Sequence, residues 1–472
     1  MDRIKIDIER RTSDIDPMIY GNFVEHLGRC VYGGIYDEDS PRSDDEGIRL
    51  DVLEATQRLA PTQVRYPGGN FVSGYHWLDG VGPKDARPRR MELAWHVEES
   101  NRFGTNEFIQ WARRVPTAPV LCVNLGTGTV EEARDWVEYC NGTGNTHFAN
   151  LRREHGFEEP HNVRIWDLGN EIDGDWQIGH RSADEYARAA LECAKLMKWT
   201  DKSIRLVACG DSFAREDWNR TVIRTLDGWA DYLAFHMYIG RHQRDVQAYL
   251  IESWRDIECR IARVEAQVAA EGLRQPPGLA FDEWGIGLPK GASYTLADGL
   301  VTALYLNAFL RHARTIRIAN YAQLVNVIPT MTTSADDLLL QTTFLPIELY
   351  RRHTGSVALD VWCDAEELRT DGAAAPALDA AATCDPDTGR VSVHIVNLDG
   401  ARARPVRIEC CTGTFGGTAD LHSMRHPDVE ASNSFDAKRC VTVEMERIPA
   451  NGACIEFELP PFSLVVARAA VR

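Results

Sequence analysis

This 472-residue chain is short of several things, and each shortage sets aside a class of function. No apolar run approaches the roughly 20 residues that cross a bilayer, so no membrane partner is expected. The opening MDRIKIDIERR alternates charged and apolar positions like a strand and lacks the apolar core of a signal peptide, which leads to an expected cytoplasmic location. Positive charge is the minority: 52 Lys and Arg face 70 Asp and Glu, for a net charge of −18. Such a surface repels phosphate backbones, so nucleic acid is not an expected partner. The acid is spread along the chain, and no acidic tail is implied. No CxxC pair occurs among the twelve cysteines, and the one adjacent pair is Cys410–Cys411. They read as reduced, mostly buried thiols and not as disulfides or zinc ligands. Low-complexity segments and short repeats are missing too. No GxGxxG follows the first strand, which argues against a dinucleotide fold.

What is present is a rhythm. Short apolar, β-branched runs at 18–26, 62–69, 118–126, 163–171, 204–210, 232–238, 278–285 and 317–326 alternate with stretches of helical period. The clearest helices are 182–199, with Ser182 as N-cap, and 297–314, both read as amphipathic. Near-continuous apolar strands separated by helices imply a parallel sheet covered on both faces. Eight units fit a (β/α)₈ barrel, although an open doubly wound sheet alternates in the same way. The strand ends decide for the barrel. Polar residues recur there: Glu25 and His26, Arg65, Asn124, Asn170 and Glu171, Asp211, His236, Glu283, Gln323 and Asn326. A barrel gathers those ends into one mouth.

After about residue 345 the period changes from helical to alternating, with turn signals between runs, which is an antiparallel sandwich pattern. The expected division is a barrel over 15–344 and a β-sandwich over 345–472, with residues 1–14 adding a strand to the second domain.

Glu171 and Glu283 stand at the ends of strands four and seven. Two carboxylates facing each other across a barrel mouth suggest glycoside hydrolysis, in which one group protonates the leaving oxygen while the other attacks the anomeric carbon or activates water.

The motifs IYGNFVEHLGRCVYGGIYD, VRYPGGNFVSGYHWLDGVGP, RPRRMELAWHVEESNRFGTNEF, WDLGNEIDGDWQIGH, FHMYIG, FDEWG and AQLVNVIPTM together resemble glycoside hydrolase family 51, the α-L-arabinofuranosidases. The resemblance runs from about residue 18 to 345. It implies a retaining, exo-acting, metal-independent enzyme without cofactor. Its partner would be an arabinofuranose-containing oligosaccharide, and it would assemble as a homo-oligomer, often a hexamer. By the same resemblance Glu171 matches the acid/base and Glu283 the nucleophile. Glu25, Asn70, Asn170, Tyr238 and Gln341 match sugar contacts, and Trp95 matches an aromatic at the site's edge. Arg65 matches an arginine beside the nucleophile, and His236 is placed to support either glutamate. A cation near Glu283 would favour its ionised form, and acidic Asp173 and Asp175 would raise the proton affinity of Glu171.

One departure stands out. Family members commonly continue DEWN, then a further tryptophan and a long loop. This chain has Gly285 and Gly287 there and a shorter loop through Lys290. A more open mouth leaves other glycosidases on the same scaffold, such as a β-D-galactofuranosidase or β-xylosidase, as the alternative reading. A non-catalytic sugar-binding protein is a third, against which the intact glutamate pair weighs.

Overall fold

A computed structural model describes residues 1–241, 245–289, 292–450 and 452–472. Eight parallel strands close into a barrel: Gly21–Phe23, Gln63–Tyr66, Ala118–Cys122, Ile165–Leu168, Arg205–Ala208, Tyr232–Gly240, Gly278–Gly287 and Ile316–Ala322. Each matches one of the eight apolar runs. All of the first five are shorter than the runs. The barrel interior holds an apolar layer of Val120, Ile165, Val207, Tyr232, Ala234, Ala280 and Ile318. The larger apolar cluster lies outside it, between strands and helices.

Two helices show how the sequence sets the surrounding layer. Helix Ala183–Thr200 begins at Ser182, whose hydroxyl accepts from the Glu185 N–H while Glu185 accepts from the Ser182 N–H. This reciprocal cap satisfies two N–H groups that the helix itself cannot. Helix Leu296–Arg311 corrects the amphipathic reading. Every residue from Leu296 to Leu310 is buried. One side faces the barrel and the other the second sheet, and a helix covered on all sides is apolar all round.

That second unit is a nine-stranded sheet in the order Val443–Pro449, Phe415–Met424, Ser463–Val471, Arg390–Asn397, Leu378–Asp385, Val357–Asp364, Asp2–Asp14, Arg404–Cys410 and Cys454–Leu459. Strands from both ends supply one core, including Ile4, Ile408, Leu421, Ile455 and Val465, so the sheet folds over on itself. The opening strand lies inside it, antiparallel to Val357–Asp364 and parallel to Val406–Cys410. Asp379 ties the sheet to the barrel helices by accepting from Trp254 at 2.9 Å and Asn307 at 2.7 Å. Helix Phe344–His353, which packs on the first and seventh barrel helices, begins where the sequence reading ends the barrel. Seven of the twelve cysteines are buried. Among the described residues no helix is long and apolar enough to cross a membrane.

Candidate active site

The fourth strand ends at Leu168, and the chain then turns sharply through Gly169 (φ +86°) to Glu171 (φ +46°). A left-handed glycine makes the turn possible, and a glutamate held in the same region is strained by about 1 kcal/mol or more. The turn throws Glu171 into the barrel mouth. Glu283 arrives from inside the long seventh strand, where the register against the sixth strand shifts between Ala280 and Glu283.

The two carboxylates meet around His236. Its Nδ1 lies 2.8 Å from Glu171 Oε1 and 3.5 Å from Glu283 Oε2, and its Nε2 lies 3.2 Å from Asp282 Oδ1. An oxygen of Glu171, an oxygen of Glu283 and a His236 nitrogen all lie within 4.8 Å of one another. Burial alone would lower the proton affinity of His236, but Glu283, Asp282 and Glu171 outweigh it and hold the imidazole well above its usual range. The three side chains are the one group of acids, His and Cys among the described residues spaced to hold a metal ion. A metal there would have to displace the proton that the acidic neighbours favour on the imidazole.

Arg65 lies fully buried beneath. Its Nη1 donates to Glu283 Oε1 at 2.6 Å, its Nη2 to Asn170 Oδ1 at 2.8 Å and its Nε to Asp167 Oδ2 at 2.5 Å. Arginine only donates, so the Asn170 oxygen must face it. The Asn170 Nδ2 is then left buried without a partner among the described residues. Tyr238 donates from its hydroxyl to Glu283 Oε2 at 2.8 Å. Trp176 Nε1 donates to Glu171 Oε2 at 2.7 Å.

Glu25 closes another side. It accepts from the Phe71 N–H at 3.1 Å, Trp95 Nε1 at 3.3 Å and Gln323 Nε2 at 2.9 Å. A Cβ added at Gly69 would come within 2.7 Å of its carboxylate, so the backbone of PGGN can approach only as glycine. Burial, and then Glu283, push the Glu25 carboxyl up to about 8. Its neighbour His26 turns away to Glu99 and Tyr66.

The chain as a whole matches known proteins. A family model described as the α-L-arabinofuranosidase 1 domain matches residues 55–256, and one described as the α-L-arabinofuranosidase C-terminal domain matches 282–463. A probable α-L-arabinofuranosidase C of Aspergillus niger is 42% identical, with 98% of this chain and 96% of that protein covered. A solved structure, the thermostable family 51 α-L-arabinofuranosidase from Thermotoga petrophila, superposes with a TM-score of 0.93 at 37% identity, over 99% of this chain and 100% of that one. The chain belongs to the α-L-arabinofuranosidases of glycoside hydrolase family 51. A further relative, 38% identical over 91% of each chain, is named an intracellular exo-α-(1→5)-L-arabinofuranosidase of Halalkalibacterium halodurans.

Of the residues read from the sequence of this arabinofuranosidase, Glu171, Glu283, Arg65, His236, Asn170 and Tyr238 form one connected cluster. Glu25 and Trp95 form a second contact set. Asn70 opens the short turn Asn70–Gly74 beside it, with no side-chain hydrogen bond among the described residues. Gln341 is buried and donates to Thr332 at 2.9 Å, with no direct bond to either glutamate.

One electrostatic expectation is reversed. Burial raises the proton affinity of Glu171, but His236 and Trp176 outweigh it and hold the carboxyl below its ordinary range. Asp173 is instead the group that rises, to about 6, through its own burial and then Asp211 and Glu171. Asp175 faces solvent.

Three contacts escaped the sequence reading. Trp176 was legible only as part of DGDWQ, and its bond to Glu171 depends on the loop's fold. Asp282 showed as a neighbour of Glu283 without a role. Asp167 sat inside an apparent apolar strand, and a charge there was the available signal.

The departure after Glu283 is partly visible. The seventh strand continues to Gly287, paired with Gly240. A Cβ at Gly285 would meet the Ala322 carbonyl at 2.9 Å, whereas one at Gly287 would meet nothing within 4 Å. Lys290 and Gly291 lie outside the described residues.

Proposed function

We propose that this arabinofuranosidase is a retaining, exo-acting enzyme that removes terminal α-L-arabinofuranosyl residues from oligosaccharides by double displacement. The observation that carries the reading is the approach of the two carboxylates to within 4.8 Å, oxygen to oxygen. Retaining pairs stand about 5–5.5 Å apart, while inverting pairs leave about 6.5 Å or more for a water. Glu283, between Arg65 and Tyr238, is the nucleophile. Its attack forms an arabinosyl ester while Glu171 gives a proton to the departing oxygen. His236 Nδ1 lies 2.8 Å from Glu171 Oε1, so a proton passed along that one hydrogen bond gives Glu171 its acid form. Glu171 then takes a proton from the incoming water, which releases arabinose with its configuration kept. Glu25, Asn70, Asn170, Tyr238, Gln341 and Trp95 hold the furanose. The unpartnered Asn170 Nδ2 suits the 2-hydroxyl, a contact that strengthens as positive charge develops on the ring. No cofactor or metal takes part.

The test is hydrolysis of 4-nitrophenyl α-L-arabinofuranoside, β-D-galactofuranoside, β-D-xylopyranoside and β-D-glucopyranoside, with the product anomer followed by NMR. The arabinofuranoside should dominate and give α-arabinose first. A β product would overturn retention, and preference for another sugar would move the specificity.

On the leaving-group side Trp176 (48% exposed) and Phe213 (58% exposed) meet edge to face at 6.0 Å beside Glu171. Exposed aromatic faces suit sugar C–H surfaces. Phe213→Ala should raise KM for arabino-oligosaccharides about 3- to 10-fold with kcat little changed. An unchanged KM would remove Phe213 from the aglycone side.

The barrel extends through helix Phe344–His353, so the division lies near residue 354 and not at 344/345; limited proteolysis near 354 tests it. The enzyme is a cytoplasmic hexamer acting on short arabinan- or arabinoxylan-derived oligosaccharides. The intracellular relative supports the location. Cell fractionation, and light scattering at six times the chain mass, check the two claims.

A further inference from the structure

The floor of the site contains a carboxylate to which the mechanism above gives no role. Strand alternation places Asp167 two residues beyond Ile165, on the inner face of the fourth strand, and Asp282, two beyond Ala280, reaches the same floor at the register shift of the seventh. Ile165 and Ala280 belong to the apolar interior layer. Both aspartates are almost fully buried and rest on it. An ionisable group on such a floor is costly unless something uses its charge.

Arg65 is that something. Its guanidinium serves three acceptors in a fixed fork: Nε on Asp167 Oδ2 at 2.5 Å, Nη1 on Glu283 and Nη2 on Asn170. Asp282 Oδ2 stands 3.6 Å from the same Nε. Asp167 Oδ1 is buried with no hydrogen-bond partner among the described residues. If Nε were not held from below, the flat fork could rotate about its axis. Nη1 and Nη2 would then leave Glu283 and the Asn170 oxygen together, and the free Asn170 Nδ2 would lose its aim.

We propose that Asp167 is a positioning residue for this reaction. Its carboxylate takes the Arg65 Nε, so the two amino groups stay on Glu283 and Asn170, and its charge offsets Arg65 in the ring of groups around the two glutamates. The inference rests on the assignment of Glu283 and Glu171 in the preceding reading.

The groups facing Asp167 are Arg65 from the second strand, Cys122 from the third, His236 from the sixth and Asp282 from the seventh. Burial pushes the Asp167 carboxyl up, Asp282 adds to this, and Arg65 draws it back. Asp282 is the lowered member of the pair, since His236 and Arg65 outweigh its burial. As pH rises, ionisation of Asp167 adds negative charge to the cluster and raises the proton affinity of its neighbours. The His236–Glu171 pair therefore keeps its shared proton to higher pH than it would above a neutral floor.

Asp167→Asn keeps the shape and an acceptor oxygen but removes the charge. It should lower kcat/KM on 4-nitrophenyl α-L-arabinofuranoside about 10- to 100-fold, mostly in kcat. The alkaline limb of the kcat/KM profile should move down by about one pH unit. Asp167→Glu, which keeps the charge, should hold that limb near its wild-type position. A merely structural carboxylate would lower Tm and leave the limb in place in both variants, and that result overturns the proposal. If the Asn variant does not fold, Asp167→Ser provides the same neutral floor with a smaller side chain and is read in the same way. Failure of the underlying assignment shows separately, as activity retained in Glu283→Ala.

Discussion

Glu283→Ala is expected to lower kcat/KM on 4-nitrophenyl α-L-arabinofuranoside by on the order of 10⁴-fold or more. The loss follows from chemistry and not from unfolding. Without the carboxylate no arabinosyl ester forms, and no other oxygen in the cluster is spaced to replace it. Asp282 is turned to His236 and Arg65, and Glu25 is held by three donors on the other side. The fold should survive, because the site holds more acids than bases and removing one relieves like-charge crowding. Glu283 is the second cause, after burial, of the raised Glu25 carboxyl, so Glu25 should titrate lower in the variant. Azide should restore part of the turnover by attacking from the vacated face, giving the β-arabinosyl azide in one displacement. A variant that keeps more than a tenth of wild-type activity would remove Glu283 from the nucleophile's role.

Glu171→Ala should separate substrates by leaving group. With arabino-oligosaccharides, whose leaving sugar needs a proton, kcat/KM should fall about 10²- to 10⁴-fold. The nitrophenyl substrate leaves readily as a phenolate, so its first step should be nearly spared. The second step then lacks a base, the ester accumulates, and stopped-flow should show a burst of nitrophenolate equal to the enzyme present. Azide needs no base and should speed this variant while giving the α-azide, the anomer opposite to that from Glu283→Ala. The variant also frees His236 Nδ1 and Trp176 Nε1 of their acceptor, so the imidazole should release its proton at lower pH than in the wild type. Equal losses on both substrates, with no burst, would count against Glu171 as acid/base.

Much of this architecture was legible because it is written in local patterns. A strand announces itself through β-branched runs of a few residues, and its end through the first polar residue that must face the mouth. Glu171 after WDLGN and Glu283 within AFDEW are both local signals of this kind. So is the Ser182 cap, whose partner Glu185 is three residues away. Helix Leu296–Arg311 was misread as amphipathic because a second covering layer cannot be seen from within the helix. Helix Phe344–His353 is hard to assign from sequence for a related reason: it is short, and its role depends on the helices it packs against.

The contacts that set the chemistry lie far apart in the chain. Arg65 reaches Asp167 across 102 positions and Glu283 across 218. Glu25 meets Gln323 across 298. Local periodicity carries no information on such pairs, and it could not say that His236 and Trp176 hold the Glu171 carboxyl below its ordinary range or that Asp173, not Glu171, rises. The sequence by itself determined eight alternating units, a second alternating-strand region, and two glutamates carried by the fourth and seventh of those units. Only the tertiary structure decided which charges face which, because a proton's affinity depends on the few ångströms around it and the closing of the barrel sets those distances.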